Sequence, residues 1–131
     1  MIQSKKFKIG NVVARQGDVG LILSELPKGA KRIPPNEKNR EVLAFGEVTG
    51  HSHSLYDVKK IEVYEVMNSG ITEKYIKTLE SVDLIHGYSK NKESGDHDKI
   101  TLPKGFVFKI EQQMGYNYWN NSPEIVRDWR L

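Results

Sequence analysis

Hydrophobic and polar residues alternate with a period of two along the clearest elements of this sequence. Phe106, Phe108 and Ile110 fall on one side of such a pattern, which is typical of a half-buried strand. The segment from Lys60 to Met67 is rich in β-branched and aromatic residues, and the turn sequence Asn-Ser-Gly follows it. Both segments are therefore predicted to be strands.

Two other segments carry weaker patterns. Residues 12–26 contain two β-rich pieces around Gly17 and Asp18, a dipeptide that predicts a turn. Residues 71–86 satisfy a helical period in part, but the alternation towards their C-terminal end favours two short strands. Several short strands separated by turns predict an all-β fold, a small antiparallel barrel or sandwich. The residues predicted to point into its core are Leu21, Leu23, Leu43, Phe45, Ile61, Val63, Phe106, Phe108 and Ile110.

Two polar, turn-rich segments predict long loops. One spans residues 27–40 and holds three of the five prolines, and the other spans residues 87–99. A chain of 131 residues fits one domain. We therefore expect a single β domain over residues 1–131, with residues 1–10 as a flexible basic arm.

The composition is that of an ordinary soluble protein, with 37% hydrophobic and 28% charged residues. No apolar run approaches the length of a membrane helix, about 20 residues, and the N-terminus has no apolar signal core. We therefore expect a cytoplasmic protein without a membrane segment. The absence of cysteine excludes disulfide bonds and thiolate metal sites, so that only His, Asp or Glu could hold a metal.

The net charge of +3 is mild but unevenly distributed. Residues 1–40 carry nine Lys or Arg and three acidic residues. Such a basic segment could contact phosphates, with Tyr116, Tyr118 and Trp119 as stacking candidates for bases. Because the rest of the chain is neutral or acidic, we do not expect tight binding to nucleic acid.

The most pointed feature is the stretch from Glu41 to Leu55, an apolar run that ends in two glycines and a His-x-His pair. If this run is one extended strand, alternate side chains share a face, and the Cα atoms of His51 and His53 lie about 6.5 Å apart. That separation allows two imidazoles to converge on one ion. Gly46 and Gly50 could introduce a bulge that redirects the pair. The residues expected to share this face are Leu43, Phe45, Glu47, Thr49, His51 and His53.

Two further histidines follow, His86 at the end of an apolar segment and His97 in the second polar loop. A His-x-His pair with later single histidines can assemble three or four nitrogen ligands around a divalent transition metal such as Zn, Fe, Ni or Mn. Histidines in a Gly/Ser turn or at a strand rim give the same pattern without a metal. The predicted metal ligands are His51, His53, His86 and His97.

Two carboxylates are candidates for catalysis. Glu47 falls on the predicted histidine face, and Asp98 follows His97 directly. Either could move protons beside a metal-bound water, and either could equally be a solvated surface group. A serine nucleophile at Ser52 or Ser54 is a weaker alternative, because serines are common in surface turns.

Five motifs are distributed along the chain. They are Arg15-Gln-Gly-Asp-Val, Phe45-Gly-Glu-Val-Thr-Gly-His-Ser-His, Leu84-Ile-His, His97-Asp-Lys-Ile-Thr-Leu-Pro-Lys-Gly and Lys109-Ile-Glu-Gln-Gln. Together they resemble a small uncharacterised family found in bacterial and phage genomes, over nearly the whole chain. The resemblance implies a histidine site more than an activity. In the family pattern the histidines that match His86 and His97 lie a few residues apart, whereas residues 87–96 separate them here.

His51-Ser52-His53-Ser54 is also similar to the first motif of cupins, in which His-x-His and a nearby acid hold a metal inside a small β-barrel. The second cupin motif has Pro-x-Gly before its histidine, whereas Pro103-Lys-Gly105 follows His97 here. The similarity to cupins is therefore weak, and it implies a barrel-lined metal site at most.

Three functions fit these observations. The first is a metal-dependent enzyme of the hydrolase type that acts on a small-molecule substrate. The second is a non-catalytic phage or bacterial protein, structural or inhibitor-like. The third is a nucleic-acid-binding module built on the basic N-terminal third. We favour a metal-binding β-domain whose activity stays open, and a homo-oligomer is compatible with the sequence.

Overall fold

The computed structural model describes residues 7–45, 52–87 and 99–112. These residues form ten β-strands and one short 3-10 turn at Val58–Lys60, without an α-helix. None of them belongs to a helix that is long and apolar enough to span a membrane. The all-β prediction is confirmed. The strands are β1 Val12–Gln16, β2 Val19–Ser24, β3 Lys31–Ile33, β4 Glu41–Phe45, β5 Ser52–Tyr56, β6 Ile61–Asn68, β7 Ile71–Thr78, β8 Val82–Gly87, β9 Ile100–Leu102 and β10 Val107–Gln112.

The strands pair antiparallel in two sheets. The strand order is β1-β2-β10-β7-β6-β3 in the six-stranded sheet and β4-β5-β8-β9 in the four-stranded sheet. Buried apolar residues from both sheets form one cluster between them. Of the two predicted architectures, the chain therefore adopts the sandwich.

Most of the predicted core residues lie in this cluster. Phe108 of β10 is fully buried, and its ring centroid lies 6.5 Å from that of Phe7 and 6.4 Å from that of Phe106. Leu43 and Ile110 are half-buried and pack against the cluster, as does Phe106. The buried residues that were predicted correctly are Leu21, Leu23, Ile61, Val63 and Phe108.

The prediction for Phe45 is wrong, because its side chain is 68% exposed. The cause is a β-bulge between Val42 and Ala44, where the register between β4 and β5 shifts. A bulge adds one residue to a strand, so Leu43 and Ala44 both contact the core. Beyond them the alternation is reversed, which turns Phe45 to the surface.

The stretch from Glu41 to Leu55, predicted as one extended strand, contributes to two. β4 ends at Phe45, β5 begins at Ser52, and the two strands pair antiparallel. The chain therefore reverses direction between them. For that reason the stretch does not form the single extended strand that was expected. The predicted spacing of His51 and His53 stays a prediction, because His51 lies outside the described residues.

The predicted turns and loops are partly confirmed. A turn at Gly17-Asp18 connects β1 to β2, and residues 71–86 form two strands as expected. The predicted loop at 27–40 contains the short strand β3, which was missed. β3 pairs with β6, and its residue Ile33 packs against the core, a contact that a three-residue pattern does not reveal. Most of the predicted loop at 87–99 lies outside the described residues.

A buried ion pair connects the two sheets. Glu41 of β4, which is 1% exposed, is paired with Lys74 of β7. Asn36 bonds both backbone groups of Val42, with each distance 2.8 Å. The ion pair holds β4 against the six-stranded sheet, and Asn36 covers part of the free edge of β4.

Candidate functional site

His53 lies on the inner face of the four-stranded sheet, in the second position of β5. It is 2% exposed, and its strand partners are Ala44 of β4 and His86 of β8. A buried imidazole needs a hydrogen-bond partner or a ligand for each of its two ring nitrogens. The neighbours of these two nitrogens therefore define the chemistry of the site.

Gln16, the last residue of β1, determines where the proton of His53 lies. The Gln16 Nε2 amide donates to the backbone carbonyl oxygen of Leu84 over 3.1 Å, so Gln16 Oε1 is the acceptor that faces the imidazole. Gln16 Oε1 lies 2.9 Å from His53 Nδ1. Because a carbonyl oxygen can only accept, Nδ1 carries a proton and donates it to Gln16.

Asp18, in the turn after β1, faces the other ring nitrogen. Asp18 Oδ1 lies 3.3 Å from His53 Nε2, and the Asp18 side chain is 28% exposed. Gln112 at the end of β10 donates to Asp18 Oδ2 over 3.2 Å and so holds the carboxylate in place. With Nδ1 already protonated, Nε2 and the carboxylate can share either a second proton or a metal ion.

The turn between β1 and β2 is shaped around the His53 ring. Gly17 has a φ of 59°, a left-handed conformation that L side chains rarely adopt. A Cβ atom at this position would lie 2.9 Å from His53 Cε1, which is too close for a side chain. Arg15 Nε donates to the Gly17 carbonyl oxygen over 2.8 Å and closes the turn. The turn therefore brings Gln16 and Asp18 to opposite sides of the imidazole.

His86 stacks on His53. The ring centroids are 4.2 Å apart, and the ring planes differ by 10°. A nitrogen lone pair lies in the plane of its ring, so the lone pairs of two stacked rings do not meet at one ion in this arrangement. The assignment of His86 as a ligand stays a prediction, and it requires the ring to turn away from the stack.

Four predicted site residues lie outside the described residues: His51, His97, Glu47 and Asp98. Within the described ranges, no three His, Asp or Glu side chains converge in a way that could hold a metal ion. The structure therefore brings together His53 and His86 of the predicted set, with Asp18 as an unpredicted third ionisable group.

A family model matches residues 15–113. The chain belongs to the family described as Domain of unknown function (DUF8820). No curated protein and no solved structure matches it. The predicted membership of an uncharacterised family is thus confirmed, whereas the individual motifs and the similarity to cupins stay predictions.

The DUF8820 match begins at Arg15 and ends one residue beyond Gln112. The whole His53 cluster therefore lies inside the family region. Four of the five sequence motifs supply a member: the Arg15 motif provides the turn, His53 and His86 end their motifs, and Gln112 belongs to the last. Sequence reasoning missed the roles of Gln16, Asp18 and Gln112, because a turn and an exposed strand end also explain such residues.

A second polar cluster lies on the opposite face of β5. Arg40 is 6% exposed, and its guanidinium contacts the hydroxyl groups of Ser52, Ser54 and Tyr56. Burial lowers the pKa of Arg40, but the hydrogen bonds that it donates to Glu37 and Tyr56 raise it, and the net pKa is above its ordinary value. Both serines point away from His53, so its imidazole does not activate either hydroxyl in this arrangement.

Proposed function

We propose that this protein is a metal-binding β-domain in which His53 Nε2 and the Asp18 carboxylate are two ligands of one divalent transition-metal ion. The observation that carries the proposal is the 3.3 Å separation of these atoms, with His53 Nδ1 bonded to Gln16 on the other side of the ring. Nε2 is thereby presented to Asp18 as a ligand nitrogen.

The separation agrees with coordination geometry. Zinc binds imidazole nitrogen and carboxylate oxygen at about 2.0–2.1 Å, and in a tetrahedral site this places two ligand atoms about 3.3–3.4 Å apart. The distance between Asp18 Oδ1 and His53 Nε2 is 3.3 Å. An ion between the two atoms would therefore require little movement of either side chain.

The surrounding amides support the same assignment. A metal-bound histidine commonly donates its second ring N–H to a carbonyl or carboxylate oxygen, which selects the tautomer and orients the ring. Gln16 makes this contact with His53. Gln112 makes a comparable contact with the second oxygen of Asp18. Each proposed ligand is thus held by an amide from another strand.

The ligand types indicate the kind of ion. An imidazole and a carboxylate without a thiolate suit Zn, Mn, Fe or Ni. The remaining coordination positions fall to water or to the sequence-predicted ligands His51 and His97. His51 is covalently adjacent to β5, since it directly precedes Ser52.

Hydrolysis of a small-molecule substrate is the catalytic form of this proposal. It requires an open coordination position for water and a base, for which Glu47 and Asp98 are the sequence candidates. Asp98 directly precedes Lys99, the first described residue before β9. A barrel-lined site of the cupin type is not needed, because the two sheets already enclose His53.

The alternative is a non-catalytic binding protein, which the 3.3 Å distance between His53 Nε2 and Asp18 Oδ1 also favours. If the His53 imidazole carries a second proton, Nε2 donates to Asp18 and the two form a partly buried structural ion pair. A role in nucleic-acid binding has less support. Two cations of the basic N-terminal third are already paired, Arg32 with Glu62 and Arg40 with Glu37, so part of its charge is compensated.

The test is metal analysis of protein purified without an affinity tag, followed by titration of the metal-free protein with Zn²⁺ and Mn²⁺. We expect one ion per chain, and we expect Asp18→Asn and His53→Ala each to weaken binding by at least about 10–100-fold. Affinity should fall below about pH 6.5, because protons compete for Nε2. Glu25→Gln, which removes an exposed carboxylate, is the control and should bind like the wild type.

Two results would reject the metal site. One is a metal-free protein that takes up neither ion. The other is equal affinity in the wild type and in Asp18→Asn. In either case, a loss of stability in Asp18→Asn would assign the pair to the structural alternative.

A further inference from the structure

We infer that Arg40 is a positioning residue for His53, acting through β5 from the opposite face of the sheet. The inference deepens the proposed function, because it names a residue that would hold a metal ligand in place without touching the metal. The inference rests on the proposed function, because it supposes that His53 is a metal ligand. The effect of Arg40 on the position of His53 can nevertheless be tested without a metal.

Arg40 contacts the residues on both sides of the proposed ligand His53 in β5. Arg40 NH1 lies 2.8 Å from Ser52 Oγ and 3.2 Å from Ser54 Oγ, and these serines directly precede and follow His53. The two serine oxygens are themselves 2.9 Å apart. Tyr56 OH lies 3.3 Å from the same nitrogen. One guanidinium thus holds every second residue of β5, on the face that His53 does not use.

The guanidinium is held on its other edge as well. Arg40 Nε lies 2.9 Å from Glu37 Oε1, and NH2 lies 3.4 Å from Glu37 Oε2. This forked pairing fixes the plane of the guanidinium, in contrast to the single-point contact of an exposed lysine. Since Arg40 is buried, it has little freedom to move away from the serines.

His53 needs such support because the strand ladder is irregular on one side of it. Its partner in β4 is Ala44, directly after the bulge, where the register with β5 shifts. Only the ladder with β8 is regular at this point. Arg40 supplies the missing restraint at Ser52 and Ser54.

The experiment compares Arg40→Met with Arg32→Met. Arg32 is the control, because it also pairs with a glutamate, Glu62 at 3.3 Å, but lies on β3 away from His53. Two quantities are measured under conditions in which each variant is folded. The first is the NMR signal of the His53 Nδ1–H proton in metal-free protein, and the second is the affinity for Zn²⁺ alone.

We expect Arg40→Met to broaden or shift the Nδ1–H signal and to weaken Zn²⁺ binding about tenfold, with Arg32→Met unchanged in both. Arg40→Lys, which keeps a cation near the hydroxyls without the fork, should recover part of the loss. Should Arg40→Met fail to fold, the Ser52→Ala/Ser54→Ala double variant removes the same contact from the other side.

The two proposals fail in different ways. An Nδ1–H signal and a Zn²⁺ affinity that are the same in folded Arg40→Met and wild type would overturn the role of Arg40 and leave the metal site standing. A wild-type protein without Zn²⁺ affinity would overturn the metal site. The Nδ1–H signal alone would then decide whether Arg40 positions His53.

Discussion

The two ends of the sandwich each bury a polar side chain, and they satisfy it in different ways. At one end Thr78 donates its hydroxyl proton to the Pro103 carbonyl oxygen over 2.7 Å and accepts the Phe106 N–H over 3.1 Å. At the other end His53 is bonded to side chains, Gln16 on one ring nitrogen and Asp18 near the other. Both polar residues are almost fully buried.

The kind of partner distinguishes a contact that only stabilises the fold from one that can also transfer a proton or bind an ion. Backbone groups do not ionise, and transition metals are held mainly by side chains, so the Thr78 end serves stability. Its neighbours Phe7 and Phe106 pack edge to face at 4.6 Å. A carboxylate and an imidazole can exchange a proton or share an ion. Variants at the Thr78 end should therefore change the free energy of unfolding, whereas variants at the His53 end should also change binding.

The largest loss of stability is expected for Phe108→Ala. Phe108 is fully buried near the Thr78 end, between the ladder partners Leu23 and Ile76. Removing its ring should lower the free energy of unfolding by about 3–5 kcal/mol, because the cavity cannot collapse completely. Urea denaturation measures the change. A loss below about 1 kcal/mol would show that the ring does not fill the core.

Gly17→Ala should affect both stability and binding. The left-handed backbone at this position costs a non-glycine residue about 1–3 kcal/mol, and the new Cβ would also displace the His53 ring. We expect Zn²⁺ binding to weaken with stability, which calorimetry of the same samples measures.

Gly29→Ala is the matched control for this variant. Gly29 also has a positive φ, 86°, but a Cβ there would meet nothing within 4 Å. It should therefore lose stability from the backbone and keep the wild-type affinity for Zn²⁺. Equal affinities in Gly17→Ala and Gly29→Ala would show that the turn does not shape the site.

Thr78→Val should cost about 1–2 kcal/mol, since the substitution leaves the Phe106 N–H and the Pro103 carbonyl without their partner. Thermal unfolding measures the loss. Binding of Zn²⁺ by the folded variant should not change. A change in affinity would contradict the division between the two ends, because it would couple the Thr78 end to His53.

The smallest effect is expected for Phe45→Ser. Because the bulge in β4 turns this side chain to solvent, the free energy of unfolding should change by no more than about 0.5 kcal/mol. Chemical denaturation is sufficient to detect the difference. A loss comparable to that of Phe108→Ala would restore the uninterrupted alternation first expected for this strand.

Local patterns in the sequence were sufficient to predict most of the strands and turns. The alternation around Phe108 and the turn at Gly17-Asp18 depend on neighbouring residues, so they are visible in the chain. His53 was predicted as a site residue because its motif combines two histidines. The cluster around it was not, since Gln16 and His53 are 37 positions apart and Asp18 and Gln112 are 94 positions apart.

Only the tertiary structure decided which side chains meet. The bulge at Val42–Ala44 reverses the alternation that the sequence predicts for Phe45, because one extra residue moves every later side chain to the other face. The convergence of Gln16 and Asp18 on His53 depends on how the two sheets pack, since β1 and β5 belong to different sheets. The period of a strand is encoded by adjacent residues, whereas the pairing of distant strands is a property of the whole core.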